Sequence, residues 1–321
     1  MKEQSYDIII IGAGAAGLAA GIYASRAKLN VLILNEGTTG GQMVLTHEIA
    51  NYPGVETISG YQLAGTMKKQ ATSFGCTIRS NIRITCLDLK SSQKKVEVNN
   101  KDTYYGNAVI LAPGGRPRML NVPGEEEFKG KGISYCATCD GDFFQDKEIA
   151  VVGGGNSALE EAVSLTKYAS KVTIVHQFDH FQAFEHAILK ARENEKIEFI
   201  MGSEIQKFEG HESLKSAIVK NLKTERETFI DIDGAFIFIG YVPNTSFLEN
   251  IIKLNEYGEI LTDEKMRTDI EGVYAAGDCI HKPYRQVTTA VADGTIAALT
   301  AAKYVNDLNR KKKETGMQVQ V

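Results

Sequence analysis

Two stretches of the chain share one order of apolar and glycine-rich segments. The first begins with the apolar run Ile8–Ile11, turns at glycines, continues as a helix-like stretch, and ends in a second apolar run at Val31–Leu34. Short apolar runs bounded by glycines are typical of buried parallel strands, and the stretch between them is typical of a helix. The pattern predicts a β-α-β unit whose strand-to-helix turn contains Gly12, Gly14 and Gly17.

The same pattern recurs further along the chain. Gly153 stands 141 residues after Gly12, and at this offset the two stretches align without a gap from strand to strand. Gly155 then matches Gly14, and Ala158 takes the place of Gly17. Two such units in one chain predict two dinucleotide-binding domains rather than one large sheet.

The first unit carries the features of a complete dinucleotide-binding fingerprint. Glycines let the backbone turn sharply and approach a pyrophosphate, which then lies at the helix N-terminus. Glu36 follows Gly12 by 24 residues, where an acidic side chain accepts hydrogen bonds from a ribose, and the neighbouring Asn35 can share that role. Because strand, turn, helix, strand and acid occur in order, the fingerprint is specific. The predicted contacts at the turn are Gly12, Gly14, Ala15, Ala16 and Gly17.

The remaining segments indicate that one domain is inserted into the other. Ala108–Gly115 is another apolar run that ends in glycines. Late in the chain, Gly272–Asp278 has the same pattern of a short strand followed by a glycine. Proline-containing connections at 116–119 and 240–244 lie between them. The predicted fold is α/β with two Rossmann-like domains, which can rotate relative to each other. The first domain comprises residues 1–118 and 245–321, and the inserted domain comprises 119–244.

Composition and charge exclude several classes of partner. The chain has 321 residues, 43% of them hydrophobic, and a net charge of -4, which does not favour binding to nucleic acid or to an anionic membrane. No run approaches the roughly 20 apolar residues of a membrane span. The polar first residues lack the features of a signal peptide, so we expect a cytoplasmic protein.

The candidate chemistry lies in a closely spaced cysteine pair. Cys136-Ala-Thr-Cys139 permits a small disulfide that opens and closes with little backbone movement, and Asp140 can exchange a proton with the emerging thiolate. A zinc site would need two further ligands at matching spacing, and none is present, so we expect no metal. A purely structural disulfide is uncommon in the cytosol. We expect the three other cysteines to be small buried apolar residues: Cys76, Cys86 and Cys279.

Taken together, these motifs resemble the low-molecular-weight thioredoxin reductases over nearly all of the chain. The resemblance rests on Gly12–Gly17, Gly40-Gly-Gln42, Asn51-Tyr-Pro-Gly54, Cys136–Asp140, Gly277-Asp278 and Arg285-Gln-Val287.

The resemblance implies a flavoprotein that binds FAD and works as a homodimer with two domain orientations. Asp278 would hold the ribityl chain, and Gln286 and Val287 would lie near the flavin pyrimidine edge. Cys139 would be the thiol next to the flavin, and Cys136 would attack thioredoxin, with Asp140 as acid and base. The other FAD contacts that it implies are Gly40, Gly41, Gln42, Asn51, Ala112, Gly114, Gly277 and Arg285.

The sequence departs from the NADPH-dependent members of that family at the second unit. In those members the strand after the glycine turn ends in His-Arg-Arg, and a third arginine follows. Here the chain has Gln177, Phe178 and Gln182 at the arginine positions. Arginines bind a 2′-phosphate through charge-assisted hydrogen bonds, so we expect NADPH to bind poorly. Gln177 also replaces the acid that favours NADH, although a glutamine can still bond to a ribose.

Three functional readings follow. The chain is similar to a subgroup of the family that takes electrons from reduced ferredoxin, and this reading explains why both nicotinamide signatures are missing together. The second reading is an NADH- or NADPH-dependent reductase of thioredoxin or a similar protein. The third is a non-catalytic flavin electron carrier with a vestigial dithiol, and the intact Cys136–Asp140 motif counts against it.

Overall fold

The structure is a computed structural model that describes residues 3–46 and 49–314. The described residues divide into two compact units: those up to Arg116 together with those from Val242 onward form the first, and Pro117–Tyr241 form the second. Each unit contains a parallel sheet with helices, which confirms the predicted α/β class with one domain inserted into the other.

The first unit is built on a mostly parallel sheet. Its strands are β1 Glu3–Ile11, β2 Val31–Leu34, β3 Thr77–Arg79, β4 Ile84–Asp88, β5 Lys94–Val98, β6 Asp102–Leu111 and β17 Val273–Ala275. They are ordered β3-β2-β1-β6-β5-β4, with β17 also paired to β6; β4 and β5 form an antiparallel hairpin. The helices of this unit are α1 Ala15–Arg26, α2 Gly60–Ser73 and α6 Val287–Glu314.

Both faces of this sheet are buried, which explains the uninterrupted apolar run in β1. Ile8 and Ile10 pack on the face that carries α1 and α6, whereas Ile9 and Ile11 pack on the opposite face. Period-two alternation therefore places an apolar residue on each face at every step. On the first face α6 passes very close to α1, since a Cβ on Gly294 would lie 2.1 Å from the Ala16 carbonyl oxygen.

The second unit combines a parallel and an antiparallel sheet. The parallel sheet has the order β11-β10-β9-β15-β8, and β12, β13 and β14 form the antiparallel one. The strands are β8 Ile133–Ser134, β9 Glu148–Val152, β10 Lys171–Val175, β11 Ile197–Ile200, β12 Ser203–Gly210, β13 Leu214–Asn221, β14 Glu227–Asp231 and β15 Gly234–Ile237. The helices are α3 Ala137–Asp140, α4 Asn156–Leu165 and α5 Glu185–Arg192.

The two connections between the units are short strands, β7 Gly115–Pro117 and β16 Tyr241–Pro243, and they pair with each other. The sequence places the boundaries at 118/119 and 244/245, and the spatial division of the chain falls at 116/117 and 241/242. Three short 3₁₀ helices complete the described structure, at Gly41–Leu45, Gly141–Phe144 and Ser246–Leu248. Over residues 3–46 and 49–314, no helix is long and apolar enough to cross a membrane.

Candidate active site

The first glycine turn leaves the N-terminus of α1 open. Gly12 has φ +106°, and a Cβ there would lie 2.1 Å from the Ala112 carbonyl oxygen, so glycine is required. Gly14 is the N-cap of α1, and no side chain caps the helix there. The backbone N–H groups of the first helical turn, at Ala15 and Ala16, are therefore available to an anionic group. This arrangement fits a dinucleotide pyrophosphate.

Asn35 braces this turn from the end of β2. Its Oδ1 accepts a hydrogen bond from the Ala13 backbone N–H at 2.9 Å, and its Nδ2 donates to the carbonyls of Gly37 and Thr38. The amide thus holds the turn and the following loop in place. Glu36 accepts a hydrogen bond from the Ile84 N–H through Oε1 at 2.9 Å. The carboxylate keeps further acceptor sites for the predicted ribose contact.

The segment after β2 comes back to the turn. The Gly40 N–H donates to the Ala13 carbonyl oxygen at 2.8 Å, and Gly41, at the start of a 3₁₀ helix that includes Gln42, lies against Gly14. The structure therefore brings three predicted parts of the cofactor site together: the turn itself, the Gly40–Gln42 segment and the end of β6 at Ala112.

Asp278 lies in a buried charged cluster at the end of β17. Burial raises the pKa of its carboxyl, while Lys282 opposes that rise. Its Oδ1 is buried and accepts no hydrogen bond from the described residues, and the Lys282 ammonium is 3.5 Å away. Lys282 itself donates to Asp293 at 2.7 Å and to Thr289 at 3.2 Å. A buried carboxylate oxygen that lacks a donor fits a ligand hydroxyl, as the predicted ribityl contact requires.

Lys282 and Asp293 are absent from the sequence-based site. Asp293 accepts a second hydrogen bond, from the Gly277 N–H at 3.2 Å, so it joins α6 to the predicted Gly277–Asp278 motif. Lys282 is four residues after Asp278, which is the spacing of one helical turn, but the chain between them is not a regular helix. In the sequence, Lys282 could have been indicated by its position between the predicted cofactor contacts Asp278 and Arg285.

Arg285 and Gln286 connect the remaining predicted contacts. Arg285 forms an ion pair with the buried Glu259, and its Nε donates to the Asp278 carbonyl oxygen at 3.4 Å. Burial works against ionisation of Glu259, but hydrogen bonds from His281 and Asn255 and the charge of Arg285 outweigh it and lower its pKa.

Gln286 lies at the base of α6, immediately before Val287. Its Oε1 accepts a hydrogen bond from Asn51 Nδ2 at 3.4 Å, across 235 positions of the chain. Gly114 has φ +64° and its carbonyl oxygen accepts a hydrogen bond from the Asn244 N–H at 2.9 Å. The residues of the first unit therefore fit the flavin dinucleotide that the sequence predicts.

The cysteine pair lies in the second unit, where β8 leads into α3. Cys136 and Cys139 are joined by a disulfide bond, with their Cα atoms 5.3 Å apart. Cys136 is the N-cap of α3 and Cys139 is within its single turn, so the helical spacing brings the two sulfurs together. Both residues are half-buried, which leaves the pair within reach of another redox group.

Asp140 is held beside this pair by Ser134, which no sequence motif indicates. Ser134 Oγ donates to Asp140 Oδ2 at 2.5 Å, and the Cys136 N–H donates to Ser134 Oγ at 3.1 Å. Burial raises the pKa of Asp140, the hydrogen bond from Ser134 opposes this rise, and the charge of Asp142 adds to it. A carboxyl whose pKa is raised beside a thiol is suited to hold and return a proton there.

Tyr135 anchors the segment in front of the pair. Its hydroxyl donates to Glu125 Oε1 at 2.8 Å, and burial raises the pKa of Tyr135. Glu125 is only 1% exposed and also accepts hydrogen bonds from the N–H groups of Leu120 and Asn121. One buried carboxylate thus ties the dithiol segment to the chain that enters the second unit.

The other three cysteines do not share one environment. Cys76 and Cys279 are buried, and burial raises their pKa values to about 11 and about 12. Cys86 is exposed, so the expectation that all three are buried is wrong for this residue. The reason is its place in β4, the last strand in the order of its sheet. In the part of the chain that the structure describes, no group of three or more potential metal ligands comes together.

The second glycine turn has the same backbone form as the first. Gly153 has φ +136°, and Gly155 is the N-cap of α4 without a side-chain cap. His176 occupies the position that matches Asn35, and its ring packs on Gly154, where a Cβ would lie 2.4 Å from the imidazole. The Gln182 N–H donates to the Gly154 carbonyl oxygen at 2.8 Å.

The positions that carry arginines in NADPH-dependent members are neutral and exposed here: Gln177, Phe178 and Gln182. Between them, Asp179 forms a hydrogen bond with His180 at 2.7 Å. This contact and the charge of His180, with a smaller contribution from Lys223, lower the pKa of Asp179. Asp179 is thus paired with His180, and the three former arginine positions offer no cation to a 2′-phosphate.

Comparison with known proteins identifies relatives over nearly the whole chain. A model of the pyridine nucleotide-disulphide oxidoreductase family matches residues 6–294. The chain is 46% identical to the thioredoxin reductase of Peptoclostridium litorale over 95% of its own length and 99% of the relative's.

Solved structures give the same picture. Thioredoxin reductase from Streptococcus pyogenes superposes with a TM-score of 0.90 at 39% identity, over 94% of this chain and 99% of that one. A ferredoxin-flavin thioredoxin reductase from Clostridium acetobutylicum is 30% identical with a TM-score of 0.52, over 95% and 100% of the two chains.

Proposed function

The chain belongs to the low-molecular-weight thioredoxin reductase family, and we propose that it reduces thioredoxin or a similar protein disulfide through its own Cys136–Cys139 pair. It is a flavoprotein disulfide oxidoreductase whose cofactor is FAD. The observation that carries the proposal is the half-buried disulfide beside Asp140. A vestigial pair in a non-catalytic carrier would not need a carboxyl with a raised pKa at this place.

The dithiol chemistry is an exchange of two disulfide bonds. In the reduced pair, the Cys136 thiolate attacks one sulfur of the acceptor disulfide, which forms a mixed disulfide and releases one acceptor thiolate. The Cys139 thiolate then attacks the Cys136 sulfur, which restores the enzyme disulfide and releases the second acceptor thiolate. The acceptor gains two electrons from the pair, and the two thiol protons of the pair match the two that it takes up. Asp140 holds or releases the proton at Cys139.

The first unit binds the cofactor that reduces the pair. Bound FAD supplies two reducing equivalents to the disulfide. We assign the pyrophosphate to the N-terminus of α1, a ribose to Glu36 and the ribityl chain to Asp278. Asn35 supports the turn from behind, and Lys282 and Asp293 hold Asp278 in place.

For the electron donor, we favour a reduced ferredoxin over NADPH. The three neutral positions at the second glycine turn lack the cations that a 2′-phosphate requires. A ferredoxin-flavin thioredoxin reductase is among the solved structures to which the chain is similar. NADH is the second candidate, because Gly153 and the uncapped start of α4 retain the form of a dinucleotide turn.

Anaerobic stopped-flow spectroscopy of the purified flavoprotein separates these donors. We expect reduced ferredoxin to bleach the flavin absorbance rapidly, and NADPH to bleach it slowly at micromolar concentration. The matched variant is Gln177→Arg with Phe178→Arg, which restores two cations and should speed bleaching by NADPH at least about tenfold. Rapid bleaching of the unaltered protein by micromolar NADPH would refute the donor assignment, and rapid bleaching by NADH alone would establish the second candidate.

We further propose that the protein is a homodimer, as the family resemblance implies. Light scattering at micromolar concentration tests this point, since a mass near 35.1 kDa would indicate a monomer.

A further inference from the structure

Ser134 lies at the centre of a short chain of hydrogen bonds beside the redox pair. Its side-chain oxygen accepts from the Cys136 N–H at 3.1 Å and donates to Asp140 Oδ2 at 2.5 Å. A third contact, to the Cys136 carbonyl oxygen, is longer at 3.4 Å. We propose that Ser134 is a positioning residue that sets the protonation of Asp140 and transmits it to the backbone of Cys136. This inference rests on the proposed disulfide exchange and adds a residue to it.

Because a serine hydroxyl both donates and accepts hydrogen bonds, the direction of its hydrogen bond can change with the proton state of Asp140. A hydroxyl has one proton to donate and two lone pairs that accept. While Asp140 is ionised, its carboxylate can only accept, so the Ser134 hydroxyl proton points to it. When Asp140 takes up a proton on Oδ2, that O–H becomes the donor to Ser134 Oγ, and the Ser134 proton turns toward the Cys136 carbonyl oxygen, 3.4 Å away. The proton state of Asp140 therefore changes the hydrogen bonding of the residue that attacks the acceptor.

The surroundings of Asp140 make this one hydrogen bond important. Ser134 is 6% exposed, so water does not readily replace its hydroxyl. Burial and the charge of Asp142 both raise the pKa of Asp140, whereas the Ser134 hydroxyl lowers it. A hydrogen bond to a charged group is one of the few interactions strong enough to counter desolvation.

Among the described residues, the segment that packs against α3 also carries titratable groups. On the side of α4, Tyr168 packs against Gly141, the residue after Asp140. Glu161 belongs to α4 itself, and its pKa is raised by burial and by Glu160 rather than by Asp140. In the reduced enzyme the thiols of Cys136 and Cys139 join this set, and both belong to the exchange itself.

The matched pair of variants is Ser134→Thr and Ser134→Val, because threonine and valine have nearly the same shape and only threonine keeps the hydroxyl. Enzyme reduced beforehand with dithionite and freed of reductant is mixed with oxidised thioredoxin, and thiol formation is followed from pH 5 to pH 10. The part of the pH–rate profile that disappears in Asp140→Asn reports the titration of Asp140. We expect Ser134→Val to move its midpoint upward by about one pH unit, and Ser134→Thr to keep it close to the original.

Combination with Asp140→Asn completes the test. In that background Ser134→Val should cause no further shift, because no carboxylate remains to accept the hydrogen bond. Equal midpoints in the valine variant and the unaltered enzyme would overturn the inference, and so would a shift that persists in the Asp140→Asn background.

A second readout distinguishes failure of the inference from failure of the proposed function. If the unaltered, reduced enzyme does not reduce thioredoxin, the proposed function fails, and the comparison moves to the rate at which iodoacetamide alkylates the reduced pair. An ionised Asp140 raises the pKa of a neighbouring thiol and so slows alkylation. The inference predicts that the inflection from Asp140 lies at higher pH in Ser134→Val than in Ser134→Thr, and coincident inflections would contradict it. Flavin absorbance and the thermal unfolding midpoint of each variant confirm that it is folded.

Discussion

Lys282 is a buried cation between two carboxylates of the flavin-binding unit. Its side chain is 9% exposed and lies 2.7 Å from Asp293 and 3.5 Å from Asp278. Removal of one member of such a cluster leaves buried charge without a partner, which is more costly than the net value of the pair. The carboxylate assigned to the ribityl chain would then be repelled by Asp293 as well as desolvated.

We therefore expect Lys282→Met to weaken FAD binding by about tenfold, which corresponds to about 1.4 kcal/mol. Titration of the apoprotein with FAD, followed by quenching of flavin fluorescence, gives the dissociation constant. Lys265→Met is the control, since that lysine is exposed in the same unit. If the Lys282 and Lys265 variants bind FAD equally well, Lys282 does not support the site.

At this scale the sequence predicted residues that act through local spacing and missed those that act through packing. Cys136 and Cys139 are predicted because only two residues separate them, and Asp140 is predicted because it follows Cys139 directly. Ser134 also lies in the local segment, but its hydrogen bond to Asp140 depends on how β8 enters α3. Lys282 and Asp293 become neighbours only when the loop after β17 folds onto α6, and no local pattern encodes that contact.

At the scale of elements, the strand-to-helix turns are the features that shape the two dinucleotide-binding units. The end of β1 must reverse into α1 within a few residues, and Gly12 does this with a positive φ and a close approach to the end of β6. The same form recurs at Gly153. In each unit the residue that directly follows the second strand of the β-α-β repeat contacts the turn: Asn35 bonds to it, and the His176 ring packs on it. The repeat thus extends from the glycines to the residues that brace them.

We expect Gly12→Ala to unfold the turn locally and to lower the FAD content of the purified protein. An alanine Cβ would lie 2.1 Å from the Ala112 carbonyl oxygen at a φ that disfavours side chains, so the loss of stability should be at least about 2 kcal/mol. Gly37→Ala is the matched control, because no atom lies within 4 Å of a Cβ at that position. Flavin-to-protein absorbance ratios and urea unfolding measure both effects. Full FAD content and unchanged stability in Gly12→Ala would show that the turn tolerates a side chain.

The sequence predicted the elements that carry the glycine repeat better than those that lack a repeat. The strands around each turn are uninterrupted apolar runs, since both of their faces are buried, and such runs are recognisable. The antiparallel strands β12, β13 and β14 have mixed patterns with exposed polar residues, and β14 is largely exposed. They are consecutive antiparallel strands with short connections, but they lack the uninterrupted apolar run and the glycine turn by which the other strands are recognised, so their sequence predicts no strand.

At the scale of the whole molecule, the same dinucleotide-binding turn occurs twice, but the residues around it differ between the two units. In the first unit the turn is accompanied by an acid at Glu36, by Asp278 with its ion pair to Lys282, and by the Gly40–Gln42 segment. In the second unit the same turn is accompanied by Gln177 and by exposed neutral residues, while the redox pair lies in that unit instead. The repeat predicted the fold, but only the residues that differ between the copies indicate what each copy does.

The central claim is that reducing equivalents leave the protein through the Cys136–Cys139 pair, and Cys136→Ser tests it most directly. Cys86→Ser is the control, since Cys86 is the exposed cysteine outside the pair. Steady-state reduction of thioredoxin is measured with the donor identified by flavin bleaching. We predict that the Cys136 variant keeps rapid flavin bleaching but produces no thioredoxin thiol above the enzyme-free blank, while the Cys86 variant retains full activity. Turnover of thioredoxin by the Cys136 variant at the rate of the unaltered protein would contradict the account.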